Sequence, residues 1–372
     1  MRHGGFHQFA QYSAEKGNDV IFFSFSRPYY IRFYHDERLN KDILKELTAG
    51  KEYKVGKGKL TNVTWPTLAV PERLRKYLPY KANEWALMHS LTPFNTFKRK
   101  WLEDTDCFVF ESCEAVLLAP KIKRLFPKAK IIYRPSDPLW EFSRQFYAID
   151  GERKMIELAD KVLTVNEESI DGYQTKFPEV FSKEKFICIS NGVDITAYRK
   201  NYPKPELLKY PKTACYIGYI QPDWKLVAKA ANALPDVRFI IITPSKLSEE
   251  YKTIDRTKNI YYIPGIAPEE VPTWITNCDI VLQPMPKSLC RLDKVSLGLT
   301  AQNYKAMAAG KPIVTHATPL KLSKYGIFSS DNPDDFISGI KDAFDKGKHD
   351  YNFDLNTRDW NYLCEKFENQ LK

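Results

Sequence analysis

A lone aspartate follows a strand-like run: "AKIIYR" (129–134) is apolar and β-prone, and Pro135, Ser136 and Asp137 come next. A carboxylate just beyond a strand's carboxyl end can take a proton from an attacking hydroxyl, the work of a general base. Arg134 has the charge to keep Asp137 ionised or to bind an acidic acceptor. The same spacing lets Asp137 cap a helix beginning near Leu139 instead. A second constellation lies in "TAQNYKAMAAGKPIV" (300–314). A helix starting at Thr300 and Ala301 aims free N–H groups and its positive dipole end outward, which suits a diphosphate. Gln302 and Lys305 are three apart and share a helix face, so the two side chains can reach one ligand. A surface pair with no ligand is the competing reading.

These residues need elements to hold them. In the first half, strands are expected at 18–25, 106–112, 129–134, 161–166 and 185–190, with helices at 114–126, 153–160 and 167–177 between them. Strands separated by helices imply βαβ units and a parallel sheet covered on both faces. The stretch 191–212, rich in Pro, Lys and Tyr, lacks periodicity and reads as a linker. The alternation then restarts at "TACYIGYI" (213–220) and runs to about residue 350, with a final helix over 351–372 expected to return to the first domain. Two doubly wound α/β domains, 1–190 and 213–350, facing a central cleft are therefore predicted. Gly218, Tyr219, Ile263 and Met285 fall just after or at the ends of second-domain strands, where they line a nucleotide pocket or simply extend the core. Gly218 would let a ligand approach the backbone closely. Gly310 and Pro312 make a tight helix-to-strand turn. In the first domain Gly5, His7 and Arg27 lie in loops that can meet an acceptor. "HGGFHQFAQYSAEKG" looks like a glycine loop and first helix, yet no strand-like run precedes it.

Charge narrows the partners. The chain carries 56 Lys and Arg against 46 Asp and Glu, a net +10. Residues 51–100 hold eleven of those cations against three Glu, interleaved with Trp65, Tyr77, Tyr80, Trp85, Phe94 and Phe97. That mixture suits an anionic membrane surface, or a solvated basic face with some rings turned inward. No nucleic-acid motif accompanies it. The longest apolar runs are strand-length, too short to cross a bilayer, and the first residues do not read as a secretory signal. Seven scattered cysteines without CxxC spacing, and no DxD or His cluster, suggest reduced thiols in a cytoplasm and no metal.

Four stretches, in order, resemble the glycosyltransferases of the GT-B fold: "HGGFHQFAQYSAEKGNDV", "SNGVDITAY", "YIGYIQPDW" and "YKAMAAGKPIV". In the retaining members of family 4, two glutamates of the last segment bind sugar and ribose; Leu297 and Lys305 stand there instead. "FVFESCEAVLLAPKIKRLFPKAKIIYRPSDPLWEF" (108–142) is similar to the inverting β-glucuronosyltransferases of family 70, the xanthan-type enzymes. Their Y-R-x-S-D segment ends in the presumed catalytic base, which implies that role for Asp137. Their helix carries a Lys and, three residues on, a Gln; here Gln302 and Lys305 keep the spacing with the types exchanged, which implies that Lys305 neutralises the diphosphate while Gln302 bonds sugar or ribose.

The resemblance implies a metal-independent bacterial enzyme of exopolysaccharide or cell-surface glycan assembly, with no cofactor beyond its nucleotide-sugar co-substrate. It would transfer from a UDP-sugar, glucuronate foremost, to a glycan or polyprenyl-linked glycan, with inversion. Lys305, with Arg291 or Lys294, would offset the diphosphate. The enzyme would sit on the inner membrane face through 51–101. A retaining transferase or an epimerase on the same fold, or a non-catalytic glycan- or membrane-binding module, are the alternatives.

Overall fold

A computed structural model of the chain describes residues 4–33, 40–244, 249–253, 258–286, 298–318, 320–347 and 349–372. Leu297, Arg291 and Lys294 lie outside them. The chain divides into two compact units, one running through Ser190 and including Cys364–Lys372, the other Asn191–Leu363.

In the first unit a helix, Gly5–Glu15, leads into β1 (Asp19–Pro28), which pairs parallel with β3 (Gly58–Thr67); β2 (Lys51–Val55) lies antiparallel on β3. This β2–β3 hairpin was not anticipated. Gly56, at φ +56°, makes its turn between the paired Val55 and Gly58. A second sheet runs β4 (Cys107–Glu111), β5 (Lys130–Arg134), β6 (Lys161–Thr164) and β7 (Phe186–Cys188), all parallel and in chain order. Ile131, Ile132 and Tyr133 of β5 are completely buried, as expected of a strand covered on both faces. Of the rings in the basic 51–101 stretch, Trp65, Phe94 and Phe97 are packed in this unit's core, as the inward-turned alternative had it. Each buries an area that water would otherwise wet, so only part of the 51–101 stretch presents its aromatics outward. Leu74, Tyr77, Leu78, Tyr80, Trp85 and Leu91 remain exposed.

The second unit holds β8 (Thr213–Ile217), β9 (Arg238–Ile242), β10 (Ile260–Ile263), β11 (Ile280–Pro284), β12 (Ile313–His316) and β13 (Phe328–Ser330). Their spatial order is β10-β9-β8-β11-β12-β13, every pair parallel. Strand order therefore reverses between β8 and β11, the switch point where open parallel sheets take ligands beyond their carboxyl ends. Alternation along the strands feeds two cores. Cys215, Ile240, Ile242, Val281 and Ile313 face one side, and Ala214, Tyr216, Phe239, Ile241 and Leu282 the other.

The stretch 191–212 is not a free linker. Asp194 caps the helix Ile195–Arg199, and Ile195, Tyr198 and Leu208 are buried in the second unit's core. Burial of three side chains needs no periodicity, which is why pattern alone missed it. The final helix begins later than expected, at Trp360, and Tyr351, Phe353 and Leu355 before it pack on the second unit. From Cys364 onward it groups with the first unit. There Phe367 stacks on Phe9 with ring centroids 4.4 Å apart, and Lys366 Nζ donates to Cys188 O at 3.0 Å.

Candidate active site

Asp137 lies on the turn between β5 and a short helix, Leu139–Phe142, and is exposed. Two carboxylates hold that turn. Glu111, the last residue of β4, accepts Ser136 N and Ser112 N at 2.9 Å on Oε1, and Ser136 Oγ donates to its Oε2 at 2.9 Å. Glu152, within the helix Ala148–Leu158, accepts Trp140 N at 2.7 Å on Oε2. The N–H groups that begin the helix are thus served by Glu152, and Pro138 holds the cap position without a side-chain bond. Capping the helix is therefore not what requires an aspartate at 137.

Arg134 has another position than expected. It is fully buried, with Nη1 donating to Ser136 Oγ and Nη2 to Ile189 O, both at 3.5 Å. Its guanidinium lies 4.8 Å from the Phe9 ring centre and 5.5 Å from that of Phe6. Burial pushes its pKa down to about 10, with Glu111 opposing the shift. An acceptor cannot reach a side chain with no exposed surface, so Arg134 supports the turn from below. Gly5 and His7 occupy the first turn of the helix that covers it, with His7 stacked on Phe22 at 4.8 Å. Arg27, past a bulge in β1, is half-buried; desolvation lowers its pKa and the Glu114 carboxylate raises it. The structure brings Gly5, His7 and Arg134 into one region through Phe6 and Phe9.

In the second unit, Gly218 follows β8. A Cβ there would lie 2.3 Å from the Tyr216 hydroxyl oxygen, and that hydroxyl donates to Ile220 O at 2.7 Å. The protein's own tyrosine leaves no room for a side chain at 218, a constraint that holds whether or not a ligand approaches there. Tyr219 is 53% exposed, Ile263 half-buried and Met285 buried. Asp223 N donates to Pro284 O at 2.8 Å, tying the loop after β8 to the end of β11 across the switch point.

The helix Ala301–Ala308 starts with a reciprocal cap: Thr300 Oγ1 accepts Asn303 N, and Asn303 Oδ1 accepts Thr300 N at 2.8 Å. Within its first turns Gln302 Nε2 is buried without an acceptor. Burial alone lowers the Lys305 pKa; among the described residues no carboxylate opposes it. A desolvated ammonium and an unmet amide donor one turn apart are what an anionic, hydrogen-bonding ligand would satisfy. Gly310, at φ +62°, ends the helix, and Lys311 N returns to Ala306 O at 3.0 Å before Pro312 opens β12.

Residues 1–165 match the family described as glucuronosyltransferase GumK, N-terminal domain. A curated relative, the UDP-glucuronate:glycolipid 2-beta-glucuronosyltransferase of Xanthomonas campestris pv. campestris, is 25% identical over 197 residues. The alignment covers 49% of this chain and 47% of that protein, so the chain spans about half the length of the curated relative it matches. The chain resembles the GumK-type glucuronosyltransferases. Among solved structures, α,α-trehalose 6-phosphate synthase from Burkholderia multivorans superposes with TM-score 0.61 at 12% identity, covering 99% of this chain and 92% of that one. A UDP-N-acetylglucosamine 2-epimerase from Listeria monocytogenes gives TM-score 0.50 at 13% identity, over 74% and 75% of the two chains. These likenesses show the GT-B fold, with its Rossmann-like parallel sheets, as the sequence predicted.

Sequence reasoning passed over Glu111 and Glu152. Glu111 carried a usable signal, since it ends a strand one position over from the strand that leads to Asp137. So did Glu152. With Met155, Ile156 and Ala159 it falls at i, i+3, i+4 and i+7, an acid on the apolar face of its helix.

Proposed function

We propose that this chain is an inverting, metal-independent glycosyltransferase that moves a sugar from a UDP-sugar to a hydroxyl of a lipid-linked glycan. Glucuronate is the donor sugar to test first, on the name of the curated relative. The observation that carries the reading is the Asp137 turn, which lies within the matched 1–165 region. Glu111 and Glu152 hold backbone and hydroxyl groups there, and Asp137 is an exposed acid at the sheet's carboxyl end. In the transfer, the acceptor oxygen attacks the anomeric carbon, the bond from that carbon to the diphosphate oxygen breaks, and the acceptor's proton passes to Asp137. UDP leaves carrying the negative charge, which Lys305 and the start of the helix Ala301–Ala308 would stabilise while Gln302 bonds sugar or ribose. Tyr219, Ile263 and Met285 would line the base pocket, and Gly5, His7 and Arg27 would meet the acceptor.

Lipid-linked acceptors lie at a membrane, and the exposed side chains fit one. Leu74, Tyr77, Leu78, Tyr80, Trp85 and Leu91 are interspersed with exposed Arg73, Lys76 and Lys81. No described helix is long and apolar enough to cross a bilayer. Peripheral attachment to the cytoplasmic face is the arrangement we infer. The test of the function is UDP release across a panel of UDP- and GDP-sugars with alkyl-glycoside acceptors, with and without EDTA. Release from a UDP-sugar, unchanged by EDTA and giving an inverted anomer, is expected. Release from none of them, or a retained anomer, would overturn the assignment.

A further inference from the structure

The geometry points to Glu152 as a positioning residue that sets the Asp137 turn for catalysis, an inference that rests on the reading of Asp137 as the base. Glu152 has no exposed surface, and both of its carboxylate oxygens accept hydrogen bonds. Tyr133 Oη and Tyr173 Oη each donate to its Oε1 at 2.6 Å, and Trp140 N donates to its Oε2 at 2.7 Å. Burial raises its pKa, and these donors, with the backbone of Leu139, pull it back down. A carboxylate is an expensive group to place in a core, and apolar residues of equal volume would pack there without that cost. Its partners explain its presence. Tyr133 sits on β5 immediately before Arg134, Tyr173 lies on the helix Glu167–Lys176, and Trp140 is three residues past Asp137. One carboxylate therefore joins the strand entering the turn, the helix leaving it and a neighbouring helix. Glu111 grips Ser136 from the other side. Asp137, itself exposed, lies on the turn between these two clamps.

A general base must meet its proton within hydrogen-bond reach, and small displacements are costly to rate but not to donor binding. Glu152→Gln retains volume but presents an amide NH₂ either to the Trp140 N–H or to the tyrosine hydroxyls. It should lower kcat about 10²-fold while leaving donor KM and UDP affinity by calorimetry within about twofold. In a chain already carrying Asp137→Asn it should cost almost nothing further, because it acts through the missing carboxylate. Amide exchange at Trp140 should quicken. Should Glu152→Gln not fold, Tyr173→Phe leaves the acid in place and removes one donor; a smaller kcat loss at constant KM, with faster Trp140 exchange, is then expected. Wild-type kcat in Glu152→Gln (or in Tyr173→Phe, with unchanged exchange), beside an inactive Asp137→Asn, overturns the role of Glu152 and leaves the base intact. Full activity in Asp137→Asn overturns the base, and this inference with it.

Discussion

Lys305, proposed above to meet the diphosphate, is held in the fold at a cost. Its ammonium is desolvated with no described carboxylate near it, so burial depresses its pKa. A depressed folded-state pKa means that the stability contribution is present above the unfolded value and is lost as pH falls through the folded one. Across the neutral range the charged form is therefore a strain on the fold. Replacing Lys305 by Met should raise Tm by about 2–4 °C and weaken UDP binding at least about tenfold, measured by calorimetry. Loss of both stability and binding would indicate a structural lysine. That Lys305 and Gln302 share a helical turn was legible in the sequence because the relation is local. The clamps on Asp137 were not. Glu111 reaches Ser136 across 25 residues and Glu152 reaches Trp140 across 12, distances set by strand pairing and helix packing. Arg134 was misassigned for the same reason, since the helix that buries it lies more than a hundred residues earlier.

Among elements, the strands with near-continuous apolar runs, such as 239–242 and 280–282, were the legible ones, because such runs leave little else to build. The β2–β3 hairpin escaped because β2 is largely exposed and reads "KEYKV", and β3, although buried, reads "GKLTNVTWPT", its apolar residues broken up by polar ones. The "NGVD" segment was recognised, but its physical reason emerges only in the fold. Gly192 lies against Trp360, where a Cβ would come within 2.5–2.9 Å of the indole, and Val193 N donates to Arg358 O at 2.8 Å. This glycine makes room for the first residue of the last helix. Gly192→Ala should cost about 1–3 kcal/mol in chemical denaturation, and Trp360→Leu in the same chain should recover part of it. If the two changes simply add, the contact is not what the glycine serves.

For the whole molecule, the sequence conveyed two α/β units and a basic, aromatic region, while burial decided which aromatics are available. Flotation with vesicles containing phosphatidylglycerol should be lost on reversing Arg73, Lys76 and Lys81 to Glu, and weakened by Trp85→Ala. Lys98 is a poorer choice for that test, since it pairs with Glu103 at 3.0 Å and lies over Phe126. Unchanged flotation of the triple variant would remove the membrane surface from the account. The transfer itself is tested most directly by UDP release at saturating donor, using the UDP-sugar that the donor screen selects, from wild type and Asp137→Asn. The account predicts a kcat lower by about 10²–10⁴-fold with donor KM within about twofold. An Asp137→Asn chain that releases UDP at the wild-type rate would contradict it.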